Sequence, residues 1–203
     1  MSLGRRYPAK GDPTTGAVRH PVTGYDNPLR FPAWPSQVAI MTERFKVRVS
    51  KDYLIFCSGH FISYEGDKCE RLHGHNYRAA VEIEGALDDN HYVFDFIALK
   101  ARAKAITDEL DHRMMLATRN RLIRVEEGDS RVEVRYRDRK WVFPRGDCVL
   151  LPIENTTAEL LARYIGGRLL ADLQTHHQYQ PAALRVEVEE TIGQFATYLW
   201  RAS

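Results

Sequence analysis

No apolar run in this sequence approaches the roughly 18 residues that span a bilayer, so no transmembrane helix and no membrane partner are expected. Cysteine is scarce. Cys57, Cys69 and Cys148 are odd in number, far apart and form no CxxC pair, which excludes a disulfide framework and makes a reducing cytoplasmic compartment the natural one. Charge of one sign is lacking too: 29 Lys and Arg against 27 Asp and Glu leave +2, which by itself argues neither for nor against any partner; no nucleic-acid partner is expected. Arg5 and Arg6 are not followed by an apolar segment, so no secretory signal is expected. Proline is thin except at one end. Six of the nine prolines, Pro8 to Pro35, fall within residues 1–40. That stretch has no helical or strand period, and proline removes backbone donors, so it reads as an extended leader outside the fold. Leu29, Phe31 and Trp34 give its last part an apolar character.

The remainder, 41–203, suits one domain. Phe45, Val47 and Val49 alternate with Lys46, Arg48 and Ser50, the period of a half-buried strand. Apolar character resumes through Tyr53, Ile55 and Cys57 and ends near His60. In a second strand, His73, His75, Tyr77, Ala79, Val81 and Ile83 share one parity. A helix is predicted from Asp95, an N-cap residue, with Phe96, Leu99, Ala103, Ile106 and Leu110 as its stripe. A second helix opens at Thr156-Thr157-Ala158-Glu159, which fits a capping box; Gly166-Gly167 weakens it. Between the helices, about 117–150, Val132, Val134 and Tyr136 alternate with charges and Trp141 to Phe143 follow, predicting an inserted β-meander. Leu184, Val186 and Val188 begin a third long strand, and Phe195 to Trp200 a fourth. The order β-β-α-(insertion)-α-β-β predicts an α+β layer, an antiparallel sheet with two helices on one face.

Chemistry concentrates in Cys69-Glu70-Arg71-Leu72-His73-Gly74-His75. Alternate strand residues face one way, so His73 and His75 point together. A hairpin would bring His60 alongside. Three converging imidazoles match a catalytic zinc site with an open fourth position. A bare HxH pair is weak evidence, but this one lies on the apolar parity, where a neutral imidazole needs a partner. Cys69 sits in the loop that feeds the site, where a nearby cation raises the thiolate fraction; the alternative is an idle thiol, the expected state of Cys57 and Cys148. Asp111-His112 is an acid–base pair or simply the end of a helix, and spacing alone favours the helix end. Glu190 either continues the apolar row of Val186 and Val188, as a carboxylate that must find partners, or lies past the strand's end.

Together these residues resemble the 6-pyruvoyl-tetrahydropterin synthase / 6-carboxy-tetrahydropterin synthase family. The matching stretches are Phe56 to His60, Lys68 to Tyr77, Val93 to Phe96, Leu110 to His112, Asn155 to Ala162 and Glu189 to Thr191. The resemblance implies the T-fold, with trimers closing a barrel and pairing into a homohexamer that closes the sheet edges. It implies Zn2+ on His60, His73 and His75, with Cys69, Asp111 and His112 as a catalytic triad across a subunit interface. Glu190 would anchor the pterin, with Thr191, Thr156 and Thr157 nearby. The three-residue gap between Cys69 and His73 is similar to enzymes that make 6-carboxy-5,6,7,8-tetrahydropterin from 7,8-dihydroneopterin triphosphate in the queuosine pathway. A 6-pyruvoyl-tetrahydropterin synthase is the next reading. Glu70, beside Cys69, also resembles the glutamate of relatives with a dihydroneopterin aldolase-like folate activity. A non-catalytic pterin-binding homologue would be expected to lack one of the three histidines, Cys69, Asp111 or His112.

Overall fold

The computed structural model describes residues 43–203. The leader expected over 1–40 lies outside the described residues. Four long strands form the antiparallel layer: β1 (Phe45–His60), β4 (His73–Gly85), β10 (Ala183–Thr191) and β11 (Gln194–Arg201), in the order β11-β10-β4-β1. Two short strands, β2 (Ser63–Tyr64) and β3 (Lys68–Cys69), pair in the loop between β1 and β4. Helix α1 (Phe96–Leu110) follows β4, and α2 (Ala158–His177) precedes β10.

The alternation of β4 and β10 is kept: Tyr77, Ala79, Val81 and Ile83 on one strand and Leu184, Val186 and Val188 on the other are buried. Along β1 the expected parity changes. The pairing with β4 slips between Ser50 and Ile55, and a bulge moves following side chains to the opposite face. Leu54, Phe56, Ser58 and His60 therefore point inward, while Ile55 is half-buried and Cys57 is exposed. Without this slip His60 would face away from His73 and His75.

Both helices contribute to the same core as the inward face of these strands, through Leu99, Ala103, Ile106 and Leu110 of α1 and Leu161, Ile165, Leu169 and Leu173 of α2. Asp95 caps α1 as expected, its carboxylate accepting from the Ile97 N–H at 2.7 Å. The capping box at α2 does not form. Thr157 is the N-cap and its hydroxyl makes no cap bond. The Thr156 hydroxyl donates instead to the Phe61 carbonyl at 3.2 Å.

Gly166 does not interrupt α2, because a close approach requires it. A methyl there would lie 2.8 Å from the Tyr198 ring and 3.2 Å from Leu184, whereas one on Gly167 would meet nothing within 4 Å. Gly166→Ala should therefore cost about 1–3 kcal/mol of stability through overpacking. Gly167→Ala should gain about 0.5–1 kcal/mol, the usual helical preference for alanine. Urea unfolding of both variants measures this; equal changes would mean that α2 does not lie so close to β10 and β11.

Between the helices, β5 (Arg113–Ala117) and β9 (Cys148–Leu151) extend the main sheet beyond β1 with parallel pairing. The sheet is thus mixed at this end, and 148–151 belong to it rather than to a meander. The three-stranded antiparallel sheet is β6 (Arg124–Glu127), β7 (Arg131–Tyr136) and β8 (Arg139–Pro144). It rests on a second core containing Phe61, Met114, Leu116, Val132, Val134 and Tyr136. Met115 and Ala117 of β5 point into the first core. Neighbouring side chains on a strand face opposite ways, so the meander covers the side of β5 away from the helices. Among the described residues no helix is long and apolar enough to cross a membrane.

Candidate functional site

The antiparallel register places His60 opposite His73 and Ser58 opposite His75. Inward parity on both strands then turns all three imidazoles to one place, with ring centroids 4.6–5.3 Å apart. Their potential ligand nitrogens lie within 4.8 Å of one another. Gly74 makes the approach possible, since a Cβ there would come 3.0 Å from the Ser58 carbonyl oxygen.

Hydrogen bonds at the far ring nitrogens orient two of the rings. His60 Nδ1 is 3.0 Å from the Thr156 carbonyl oxygen, and His73 Nδ1 is 2.9 Å from that of Arg71. A carbonyl only accepts, so each Nδ1 carries the proton and each Nε2 presents a lone pair. These two Nε2 atoms are 3.2 Å apart. Lone pairs at that distance repel unless a proton or a cation lies between them. His60 is almost wholly buried, and burial, opposed by its Thr156 bond and aided by His73 and His75, pushes its pKa down to about 4. Protonation of His60 is therefore disfavoured at neutral pH. Zinc–imidazole bonds of about 2.0–2.1 Å place tetrahedral ligand atoms roughly 3.3 Å apart, so the donor set fits zinc.

Glu190 closes another side of the cluster. Its Oε1 accepts from the Tyr77 hydroxyl at 3.2 Å and lies 3.4 Å from His60 Nε2 and 3.8 Å from His75 Nε2. It thus continues the inward row of β10 and is not a solvent-facing strand end. Glu189 turns to the hairpin, accepting from the Gly193 N–H at 2.7 Å. Two cavities meet at Glu190. One, of about 340 Å³, is lined by Ile62, Thr157 and Phe195; the other, of about 590 Å³, by His75, Asn76 and Thr191. Thr157 and Thr191 are thus beside Glu190. Thr156 is not available to a ligand: it is 1% exposed, its hydroxyl is engaged by Phe61, and its carbonyl serves His60.

Cys69 lies half-buried at the end of β3, its Sγ 3.5 Å from the Glu70 carbonyl oxygen. Burial pushes the thiol pKa up, with Arg139 opposing, so the metal-free site does not itself favour a thiolate. The Glu70 carboxylate accepts from the Ile62 N–H at 3.4 Å and lies 4.0 Å from His73 Nε2. Asp111 and His112 do form a pair, Oδ2 to Nδ1 at 2.9 Å. Asp111 Oδ1 accepts from the Cys57 N–H at 2.7 Å. That bond, more than the histidine, holds the carboxyl below the usual range. The His112 ring is 82% exposed and among the described residues pairs only with Asp111, so within one chain it does not join the three imidazoles.

Two residues were missed by sequence reasoning. Tyr77, fully buried, donates its hydroxyl proton to Glu190 at 3.2 Å and places the oxygen 3.0 Å from His60 Nε2; its place on the histidine parity of β4 was the available signal. Asn155 ties β2 to the start of α2, its Nδ2 donating to the Ser63 carbonyl at 2.8 Å and its Oδ1 accepting from the Thr156 N–H at 3.2 Å.

The family model described as 6-pyruvoyl tetrahydropterin synthase matches residues 49–200. A Methanocaldococcus jannaschii protein provisionally named 6-carboxy-5,6,7,8-tetrahydropterin synthase is 33% identical over 146 residues, 71% of this chain and 89% of its own. The dihydroneopterin monophosphate aldolase of Pyrococcus furiosus is 38% identical over a shorter stretch of 58 residues, 29% of this chain and 48% of its own. Among solved structures, a Plasmodium vivax 6-pyruvoyltetrahydropterin synthase superposes with a TM-score of 0.72 at 27% identity, over 79% of this chain and 99% of that one. That structure is of a catalytic-residue mutant in which a glutamate is replaced by alanine.

Proposed function

Because the chain belongs to the 6-pyruvoyl tetrahydropterin synthase family, we propose that it is a zinc-dependent lyase converting 7,8-dihydroneopterin triphosphate and one water to 6-carboxy-5,6,7,8-tetrahydropterin, acetaldehyde and triphosphate. The observation that carries this reading is the convergence of three imidazoles with the Glu190 carboxylate, 3.4 Å from one and 3.8 Å from another. His60, His73 and His75 would hold zinc, which would supply Lewis acidity toward the side-chain hydroxyls of the substrate.

The chain's own groups do the rest. Glu190, held by Tyr77, accepts hydrogen bonds from the 2-amino and ring N–H groups of the pterin and sets the distance of the reacting carbon from the histidines. Thr157 and Thr191 line the cavities on either side of it. Cys69 removes a proton from the substrate side chain, and His112, oriented by Asp111, carries protons during cleavage. Since His112 is turned outward, it serves the site of a neighbouring protomer. This fits a homohexamer built from two trimers, with sites at subunit interfaces. The protein acts in the cytoplasm on a small-molecule substrate.

A second reading is favoured by one observation: Glu70 is the carboxylate that approaches His73, 4.0 Å from its Nε2, while burial pushes the Cys69 thiol pKa up. In that reading Glu70 is the base and the reaction is an aldolase-like cleavage. Turnover of dihydroneopterin triphosphate by Cys69→Ala and Glu70→Gln separates the two. Loss of about a hundredfold or more in the cysteine variant alone supports the carboxypterin synthase; near-normal turnover there with loss in the glutamine variant overturns it.

A further inference from the structure

The loop that carries Cys69 and Glu70 is gripped from outside the main sheet. Arg139, the first residue of β8, donates from Nη2 to the Cys69 carbonyl at 2.7 Å and from Nη1 to the Glu70 carbonyl at 3.0 Å. One planar guanidinium thus spans two successive peptides, a geometry a lysine cannot reproduce. Its own plane is fixed by two rings, with the carbon 4.8 Å from the Tyr136 centroid and 5.3 Å from that of Trp141. Trp141 in turn stacks on Phe61 at 4.7 Å, next to the ligand candidate His60. The same hairpin tip holds the front of the loop: the Tyr136 hydroxyl donates to the Asp67 carbonyl, and Arg137 pairs with the Asp67 carboxylate at 2.6 Å. None of these bonds is needed to close the meander, whose own pairing is complete between β7 and β8.

We infer that Arg139 is a positioning residue of the active site: its fork on the Cys69 and Glu70 carbonyls fixes the peptide between two candidate bases, and so decides which side chain addresses the histidine cluster. The inserted meander is then part of the catalytic apparatus. This rests on the pterin synthase reading. Clamping the two carbonyls removes the backbone rotation that would exchange the two side chains; the same guanidinium also faces the Cys69 thiol and opposes the rise of its pKa. Displacement of either base by about an ångström is enough to cost some hundredfold in rate.

The test uses the zinc-loaded full chain and three variants. Arg139→Ala should lower kcat at least about tenfold, with KM within about threefold and zinc content unchanged. Millimolar guanidinium should restore part of the rate by entering the slot between Tyr136 and Trp141; urea should not. Arg139→Lys should recover less than guanidinium does. Lys104→Ala, which removes an exposed ion pair with Asp108 on α1, should behave as the parent chain. An unchanged kcat in Arg139→Ala, or a loss that guanidinium does not relieve, overturns the inference. Amide exchange over 65–72 provides an arm independent of turnover. Faster exchange in Arg139→Ala, slowed by guanidinium, supports the clamp even if the parent chain proves inactive on dihydroneopterin triphosphate, a result that would count against the proposed function alone. Unchanged exchange overturns the clamp.

Discussion

Replacing His73 with alanine is expected to take zinc from about one per chain to a small fraction of that, and to abolish turnover. The reason lies in the ring's two nitrogens. Nδ1 is committed to the Arg71 carbonyl, so Nε2 is a fixed donor, 3.2 Å from that of His60. Loss of a partner that merely orients a ligand costs roughly 10–100-fold in metal affinity, and loss of the ligand itself costs more. His112→Ala separates the two consequences: it should keep zinc and lose turnover. His91→Ala, at an exposed turn with φ of 64°, should change neither. Metal analysis of dialysed protein reads all three. Undiminished zinc in His73→Ala would remove the metal assignment, and with it the reason for the 3.2 Å approach.

Pterin affinity should fall about tenfold or more in Glu190→Gln, since a charge-assisted hydrogen bond is worth roughly 1.5–3 kcal/mol and about 1.4 kcal/mol is a factor of ten. The substitution keeps the shape but replaces one acceptor oxygen with a donor that faces the ring's donors. Tyr77 already donates to Oε1, so the amide oxygen will stay there and the nitrogen will be turned toward the ligand. Zinc content should not change. Glu189→Gln should leave affinity near that of the parent chain, because Glu189 serves the hairpin N–H of Gly193. Calorimetric titration with a pterin measures both, and equal losses in the two variants would place the pocket elsewhere.

The long strands and the clustering of His60, His73 and His75 were legible because period and chemistry coincided. His73, His75 and Tyr77 lie on the parity that buries Ala79, Val81 and Ile83, so one alternation gave both the face and the site. Glu190 was half legible. Its parity was right, but whether the strand ended before it depended on Tyr77, a partner more than a hundred positions away in the chain. The inward facing of His60 was not derivable from β1 alone, because the bulge near Ser50 reverses the parity on which Ile55 and Cys57 had seemed apolar. Strands β5 and β9 escaped notice for a physical reason. Short parallel strands covered on both faces show continuous apolar residues and no alternation: Met114 and Leu116 enter one core while Met115 and Ala117 enter the other. The capping box failed because Thr156 is recruited by Phe61 and His60, which shifts the helix start by one residue. The clamp made by Arg139 had no signal, since its hydrogen-bond partners are backbone carbonyls, which every residue has.

Incubation of the purified, zinc-loaded chain with 7,8-dihydroneopterin triphosphate, with products identified by mass spectrometry, tests the proposed activity. The expected products are 6-carboxy-5,6,7,8-tetrahydropterin together with acetaldehyde and triphosphate, formed only while zinc is bound. Full recovery of unreacted substrate from a zinc-loaded sample, or the same products at the same rate after the metal is stripped, would contradict it.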